Sequence, residues 1–325
     1  MVRIIGIRHR IKKTAENESR PTQVVILDDE SGDEIATYEL DNEQAELDFV
    51  RDIFPISFRP IREDESLRGI PDSHIKWKKL KSMDDAPANL VVYFDKVRHV
   101  AVKIVDAFDG LEPGDHVAMI LGGSGDCFAF ALARRGEEVG ASIYRISPAR
   151  LKERRGEASK ETDAKLLATT LLHEPDAFYA FRPSDAEIIR IREAYRSRID
   201  AMKARIACEQ RLRQHFIGQI FCRSDGSFPE GAIEKMYDEA KANDVIYRAL
   251  CKEEAARGRD LEELVEASGV WKHVLVDVEG LGSKIASRII ASVVDIRRFS
   301  TSILEAGDEN PLIQESRERQ RLLEE

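Results

Sequence analysis

Cysteine is sparse in this chain: four residues in 325, Cys127, Cys208, Cys222 and Cys251, with no two of them two positions apart. That scatter excludes a zinc ribbon and a disulfide framework, and it makes a reduced cytoplasm the expected compartment. Glycine and proline, at 19 and 11 residues, are too few for a collagen or low-complexity chain. Long apolar runs are missing as well. The longest, residues 117–121 and the interrupted stretch 285–294, fall short of the roughly 18 residues a bilayer span needs, so no membrane partner is expected. Residues 1–10 are basic and strand-like, where a secretory signal would need an apolar stretch and a small-residue cleavage site.

What is present suits a sizeable core. Hydrophobic residues make up 42% and charged residues 34% of the chain, and this length suggests two domains or one domain with appendages. Fifty basic against sixty acidic residues give a net charge of −10. That balance argues weakly against nonspecific phosphate binding, so the local distribution of charge has to decide.

Three strands open the chain: residues 2–7, residues 23–27, and residues 34–40 after a hairpin turn at 28–33 that contains Gly32. Residues 41–111 carry no clear pattern and read as an insertion, except that Val97, Val100, Ala101, Ile104, Val105 and Phe108 recur at helical spacing and predict a helix there. A buried strand at 117–121 runs into Gly122-Gly123-Ser124-Gly125, a helix follows over 126–135, and another strand over 139–146. Strand, helix, strand implies a parallel crossover within a mixed sheet. A helix is expected over 162–173. Ser184 and Glu187 form a potential capping box at the start of a long helix whose seam is Ile188, Ile191, Tyr195, Ile199, Met202 and Ile206. Its other face is basic, from Arg190 to Arg213, although such charge runs are often balanced within a helix. Further helices are expected over 233–255 and 260–267.

Near the end, Gly280-Leu281-Gly282 separates two short apolar segments and reads as a helix-hairpin-helix. Its second helix would aim free N–H groups at a phosphate, and Ser283 and Lys284 would add a hydroxyl and a cation. A plain packing turn is the alternative. The Gly122–Gly125 turn is neither a phosphate-binding loop ending in Gly-Lys-Ser/Thr nor a dinucleotide fingerprint, because Phe128 stands where a third glycine belongs. As a nucleophile elbow around Ser124 it is incomplete, with Asp126 in place of the closing glycine, and His116 or His173 would have to act as base. A tight turn that lets the helix pack on the sheet is the simpler account. Asp163, alone at the start of a helix, cannot by itself hold a divalent metal.

In order, these segments resemble the DEDD-type insertion-sequence transposases. Ile4-Ile5-Gly6-Ile7 is similar to the family's first strand, residues 120–125 to its Glu-Ala-Thr-Gly turn, and Ser147-Pro148 to its Asn-Pro segment. Thr162-Asp163-Ala164 with Leu167-Ala168 resembles its Lys-Thr-Asp helix, and residues 278–282 with Asp295-Ile296-Arg297-Arg298-Phe299 resemble its Pro-Gly-Ile-Gly and Gly-Asp-Ile-x-x-Phe stretches. The resemblance implies a RuvC-like α/β domain, a coiled-coil arm and a C-terminal domain, four acids that hold Mg²⁺, a nucleophilic serine in the C-terminal domain, and a structured RNA that guides the choice of DNA.

Three of those four acids are absent here. Arg8 stands in the first-strand position, Gly122 in the second and Lys160 in the third, leaving Asp163 as a vestige, and Ser300 and Ser302 do not match the family's serine. The expectation is therefore a RuvC-like α/β domain over 1–182, a helical arm over 183–259 that forms homo-oligomers, and a truncated helix-hairpin-helix domain over 260–325. Its function would be to bind DNA, with structured RNA as a possible further partner, without cutting it and without a cofactor. Gly280, Gly282, Ser283, Lys284, Arg297 and Arg298 would touch nucleic acid. The alternatives are an active Mg²⁺-dependent nuclease built from displaced acids such as Asp28, Asp29, Asp126 and Glu161, and a protein–protein scaffold.

Overall fold

The computed structural model describes residues 2–10, 20–81, 86–295 and 297, and the chain divides into two compact units, residues 1–181 and 182–325. The first unit begins with β1 (Arg3–Arg8), β2 (Thr22–Asp28) and β3 (Glu34–Leu40). Runs of Ile and Val make the first two nearly continuous in burial, as central strands covered on both faces are. A short helix α1 (Glu43–Val50) follows, capped by the Asn42 side chain, which accepts the Ala45 N–H at 3.0 Å. Next come β4 (Phe54–Pro60), β5 (Ile75–Lys79), β6 (Val91–Phe94) and β7 (Val97–Asp109), which form a separate four-stranded sheet. The chain then returns through β8 (His116–Ile120), α2 (Asp126–Val139), β9 (Ser142–Ile146), α3 (Pro148–Arg155), α4 (Asp163–His173) and β10 (Tyr179–Ala180).

The main sheet runs β10-β9-β8-β1-β2-β3. β1 is antiparallel to β2 and parallel to β8, and β8 is parallel to β9. The expected parallel crossover is therefore present inside a mixed sheet. One face packs on α1 and α2 through Ile5, Ile7, Phe49, Leu132 and their neighbours. The other packs on α3 and α4 through Ile4, Leu151, Leu167 and Leu171. Gly6 sets how closely α4 can approach: a Cβ there would lie 1.9 Å from the Ala164 carbonyl oxygen. Only glycine at this point of β1 lets the helix lie on the strand.

Several boundaries differ from expectation. Residues 97–109 are a strand, not a helix. The helical spacing of their apolar residues arises because β7 pairs with three strands and its ladders shift register opposite 55–58 and 76–77, so inward positions do not keep strict alternation. α2 runs past residue 135 to Val139 and ends on Gly140, whose φ is +86°, as a helix-terminating glycine requires.

The second unit is helical, with α5 (Pro183–Phe221), α6 (Ile233–Asn243), α7 (Val245–Ala267) and α8 (Ser283–Val293). The start of α5 is capped by Asp185, whose carboxylate accepts the Arg182 N–H at 3.0 Å. Glu187, expected to do this work, instead accepts the Gly269 N–H at 3.0 Å. The helices expected over 233–255 and 260–267 are redivided: Asp244 ends α6 and caps α7 through the Tyr247 N–H, and α7 then runs unbroken through residues 255–260. α5 and α7 lie antiparallel, because Arg205 meets Glu254 while Arg257 reaches the Ser197 carbonyl. Ile191, Leu261, Val265, Ala286 and Ile290 form a core shared by α5, α7 and α8.

Candidate functional site

The parallel strands β1 and β8 end side by side, and a cleft of about 490 Å³ opens there. Arg8 and His9 enter it from the end of β1, Gly122–Gly125 from the turn before α2, Lys152 and Arg155 from α3, and Lys160 and Asp163 from the approach to α4. The close packing of α4 on Gly6 brings Asp163 next to the strand end. The cleft thus collects the positions at which the resemblance places the four acids. Two of those positions are cationic, and two more cations, Lys152 and Arg155, join them.

Arg8 is the unusual residue. It is only 9% exposed, its Nη2 donates to the Pro21 carbonyl at 3.3 Å, and its buried Nε has no hydrogen-bond partner among the described residues. An unmatched buried donor is costly. Asp163 is 3% exposed and fully engaged: Arg155 Nε donates to Oδ1 at 2.5 Å and Nη2 to Oδ2 at 2.7 Å. This fork leaves the carboxylate no oxygen free of a guanidinium. The donor set does not fit Mg²⁺, which needs several oxygen ligands and is repelled by cations.

The displaced acids do not converge on this cleft. Asp28 faces Arg3 at the other end of the β1–β2 ladder and accepts the N–H groups of Glu30 and Ser31 in the hairpin turn, which hold its carboxyl below the ordinary range. Asp126 is bound by Arg145 and accepts the Gly122 N–H. Glu161 pairs with Arg20 at 3.0 Å. Among the described residues, Asp52, Asp109 and Glu112 bring three carboxylates together, but at the opposite end of β1. There Arg3 supplies the positive charge, at 2.8 Å from Asp109 and 3.6 Å from Glu112.

A contact not expected from sequence borders the cleft. His9 Nδ1 lies 3.0 Å from Ser124 Oγ, and its Nε2 lies 3.3 Å from Glu46 Oε1. Glu46 also accepts the Thr22 hydroxyl at 2.6 Å. Burial opposes its ionisation, but hydrogen bonds from His9 and Thr22 outweigh that and hold its carboxyl below the usual range. His116 and His173, named as possible bases for Ser124, do not fit. His116 opens β8 at the far end from the turn and rests on Tyr144, and His173 is the last residue of α4. The signal for His9 was its place directly after the strand-end Arg8.

In the second unit, Gly280 has φ +77° and Gly282 precedes α8, and a Cβ at either would meet nothing within 4 Å. The turn is open to solvent. Ser283 begins α8, and Lys284 is largely exposed with Nζ 3.5 Å from Glu262. The first helix of the expected hairpin is a single wide turn, Trp271–Leu275. Arg297 points inward, bonded to Asp185 and Asp295, whose hydrogen bonds and charge raise its pKa against the opposing cost of burial. Arg298 lies outside the described residues. On α5, Arg196, Arg205 and Arg213 are paired with Glu193, Glu254 and Glu234, so part of the basic face is neutralised internally.

No family model and no curated protein matches the chain.

Proposed function

We propose that the chain is a transposase-like nucleic-acid-binding protein whose strand-end cleft holds a phosphate and does not cut it. The observation that carries this reading is the cationic lining of the cleft: Arg8, a buried guanidinium whose Nε has no hydrogen-bond partner among the described residues, lines it together with Lys152 and Lys160. A phosphodiester oxygen matches such donors, and contacts of this kind position a backbone without reading its sequence. The fork of Arg155 on Asp163 supports the loss of cleavage. The strand order, with an antiparallel trio joined to a parallel pair, supports a RuvC-like architecture. The antiparallel packing of α5 on α7 supports the coiled-coil arm. Ser283 and Lys284 at the open Gly280–Gly282 turn would contribute a second backbone contact, to DNA first and to a structured RNA as further partner. Exposed Val245, Ile246 and Phe221 offer apolar surface for self-association of the arm.

A nuclease assay with Mg²⁺ or Mn²⁺ tests the reading. It predicts binding without products, and cutting abolished by Asp163→Ala would overturn it in favour of an active enzyme.

A second reading, nucleophilic chemistry at Ser124, is favoured by the Ser124–His9–Glu46 chain alone. In it His9 would accept the Ser124 proton while Glu46 orients the ring. Turnover of a chromogenic ester or phosphodiester that Ser124→Ala abolishes would establish it.

A further inference from the structure

We infer that the outward face of the small sheet, β4 to β7, is a separate surface that binds single-stranded nucleic acid. The inference goes beyond the strand-end cleft and does not depend on it. Residues paired across a ladder point to the same face of a sheet. Lys76 is paired directly with Lys103, Lys78 with Val100, and Arg98, two residues along β7 from Val100, with Tyr93. Phe58, paired with Val105 two residues from Lys103, joins the same face, and Lys76 Nζ lies 4.4 Å over its ring. This face therefore interleaves Lys76, Lys78, Arg98 and Lys103 with the rings of Phe58 and Tyr93.

The opposite face is the core side. Ile75, Trp77, Ala101 and Leu90 pack there with Ile61 and Leu67, and the half-buried Val100 also reaches this cluster; the sheet's own ion pairs involve Arg59, whose ladder partner Ile104 is buried. Among the described residues, the four outward cations have no carboxylate in ion-pair contact. Like charges placed directly opposite each other, as Lys76 and Lys103 are, destabilise a sheet. A polyanion laid across the face would offset that repulsion.

Charge alone would serve any polyanion, and the rings narrow the choice. Tyr93 is 65% exposed, an extent that burial of apolar surface disfavours and that stacking of an unpaired base would use. Bases within a duplex are already stacked on their neighbours and offer no such face. The occupant that fits is a single strand of DNA or RNA, with its backbone along the cations and its bases on the rings.

Fluorescence anisotropy of the full chain with labelled dT₂₀, rU₂₀ and a 20-bp duplex, over a salt series, tests this. Binding of dT₂₀ or rU₂₀ is expected, with Tyr93→Ala weakening it roughly tenfold and Tyr93→Phe retaining it. The triple variant Lys76→Ala/Lys78→Ala/Lys103→Ala should lower the slope of log affinity against log salt by about two. Melting temperatures of the Tyr93 variants should match the parent's, and that of the triple variant should match or exceed it, since the replaced side chains are exposed and the Lys76–Lys103 repulsion is relieved. If single strands bind and these variants leave binding unchanged, or if only the duplex binds, the inference falls while the cleft reading stands. If these variants abolish binding and Arg8→Ala does not weaken it, the inference stands and the cleft reading falls. Absence of binding to all three probes overturns both.

Discussion

Arg155 grips Asp163 through two parallel hydrogen bonds, Nε to Oδ1 at 2.5 Å and Nη2 to Oδ2 at 2.7 Å. Both side chains are nearly buried, at 11% and 4% exposed. The pair fastens the end of α3 to the start of α4. Removing one partner leaves a buried charge uncompensated, so Arg155→Ala should cost about 3–5 kcal/mol in urea unfolding. The double variant Arg155→Met/Asp163→Leu should recover most of that loss. A double variant that loses the sum of what Arg155→Met and Asp163→Leu lose singly would show that the pair carries no coupling energy.

Gly6→Ala should be among the most damaging small substitutions. Its Cβ would sit 1.9 Å from the Ala164 carbonyl oxygen and 2.6 Å from the Ala168 nitrogen, and backbone cannot yield as a flexible side chain does. Overpacking of this kind costs about 1–3 kcal/mol or more. Denaturant titration should show it, together with weaker nucleic-acid binding as α4 moves away from the cleft. A variant as stable as the parent would contradict the packing described.

Acid should loosen the strand-end network through Glu46. Its carboxyl lies below its ordinary value of 4.5 in the folded chain, so its contribution to stability is present above that value and is lost as pH falls further through the folded pKa. Unfolding midpoints measured from pH 7 down to 3 should decline below about pH 4.5. Glu46→Gln should flatten part of that decline. A parallel decline in the variant would assign the acid sensitivity elsewhere.

Sequence patterning recovered β1, β2, β3, β8 and β9 of the main sheet because they are short, mostly apolar at their centres, as in Ile4 to Ile7 and Val117 to Met119, and bounded by turns, but it missed the two-residue β10. It failed at residues 97–109, where register shifts against β4 and β5 space Val97, Val100, Ala101, Ile104 and Val105 like a helix. The β-branched content of that stretch was the overlooked signal. Arg8, Lys160 and Asp163 were legible as cleft residues only through the family resemblance. Arg155 was not, because its role depends on α3 turning back over α4, a tertiary fact with no local signature. His9 was missed for a similar reason: its partners Glu46 and Ser124 lie 37 and 115 residues away in the sequence.

Ser124→Ala should leave nucleic-acid affinity within about twofold, since a single neutral hydroxyl contributes little beside the charges of the cleft. Anisotropy measured alongside Arg8→Ala checks this. A loss equal to that of Arg8→Ala would place the hydroxyl itself on the ligand.

The most direct test of the cleft is the salt dependence of duplex DNA binding by the parent chain and by Arg8→Ala/Lys152→Ala/Lys160→Ala. Phosphate held by these cations predicts that the variant binds more weakly and that its slope of log affinity against log salt falls by about two to three. An unchanged slope and affinity would contradict the account.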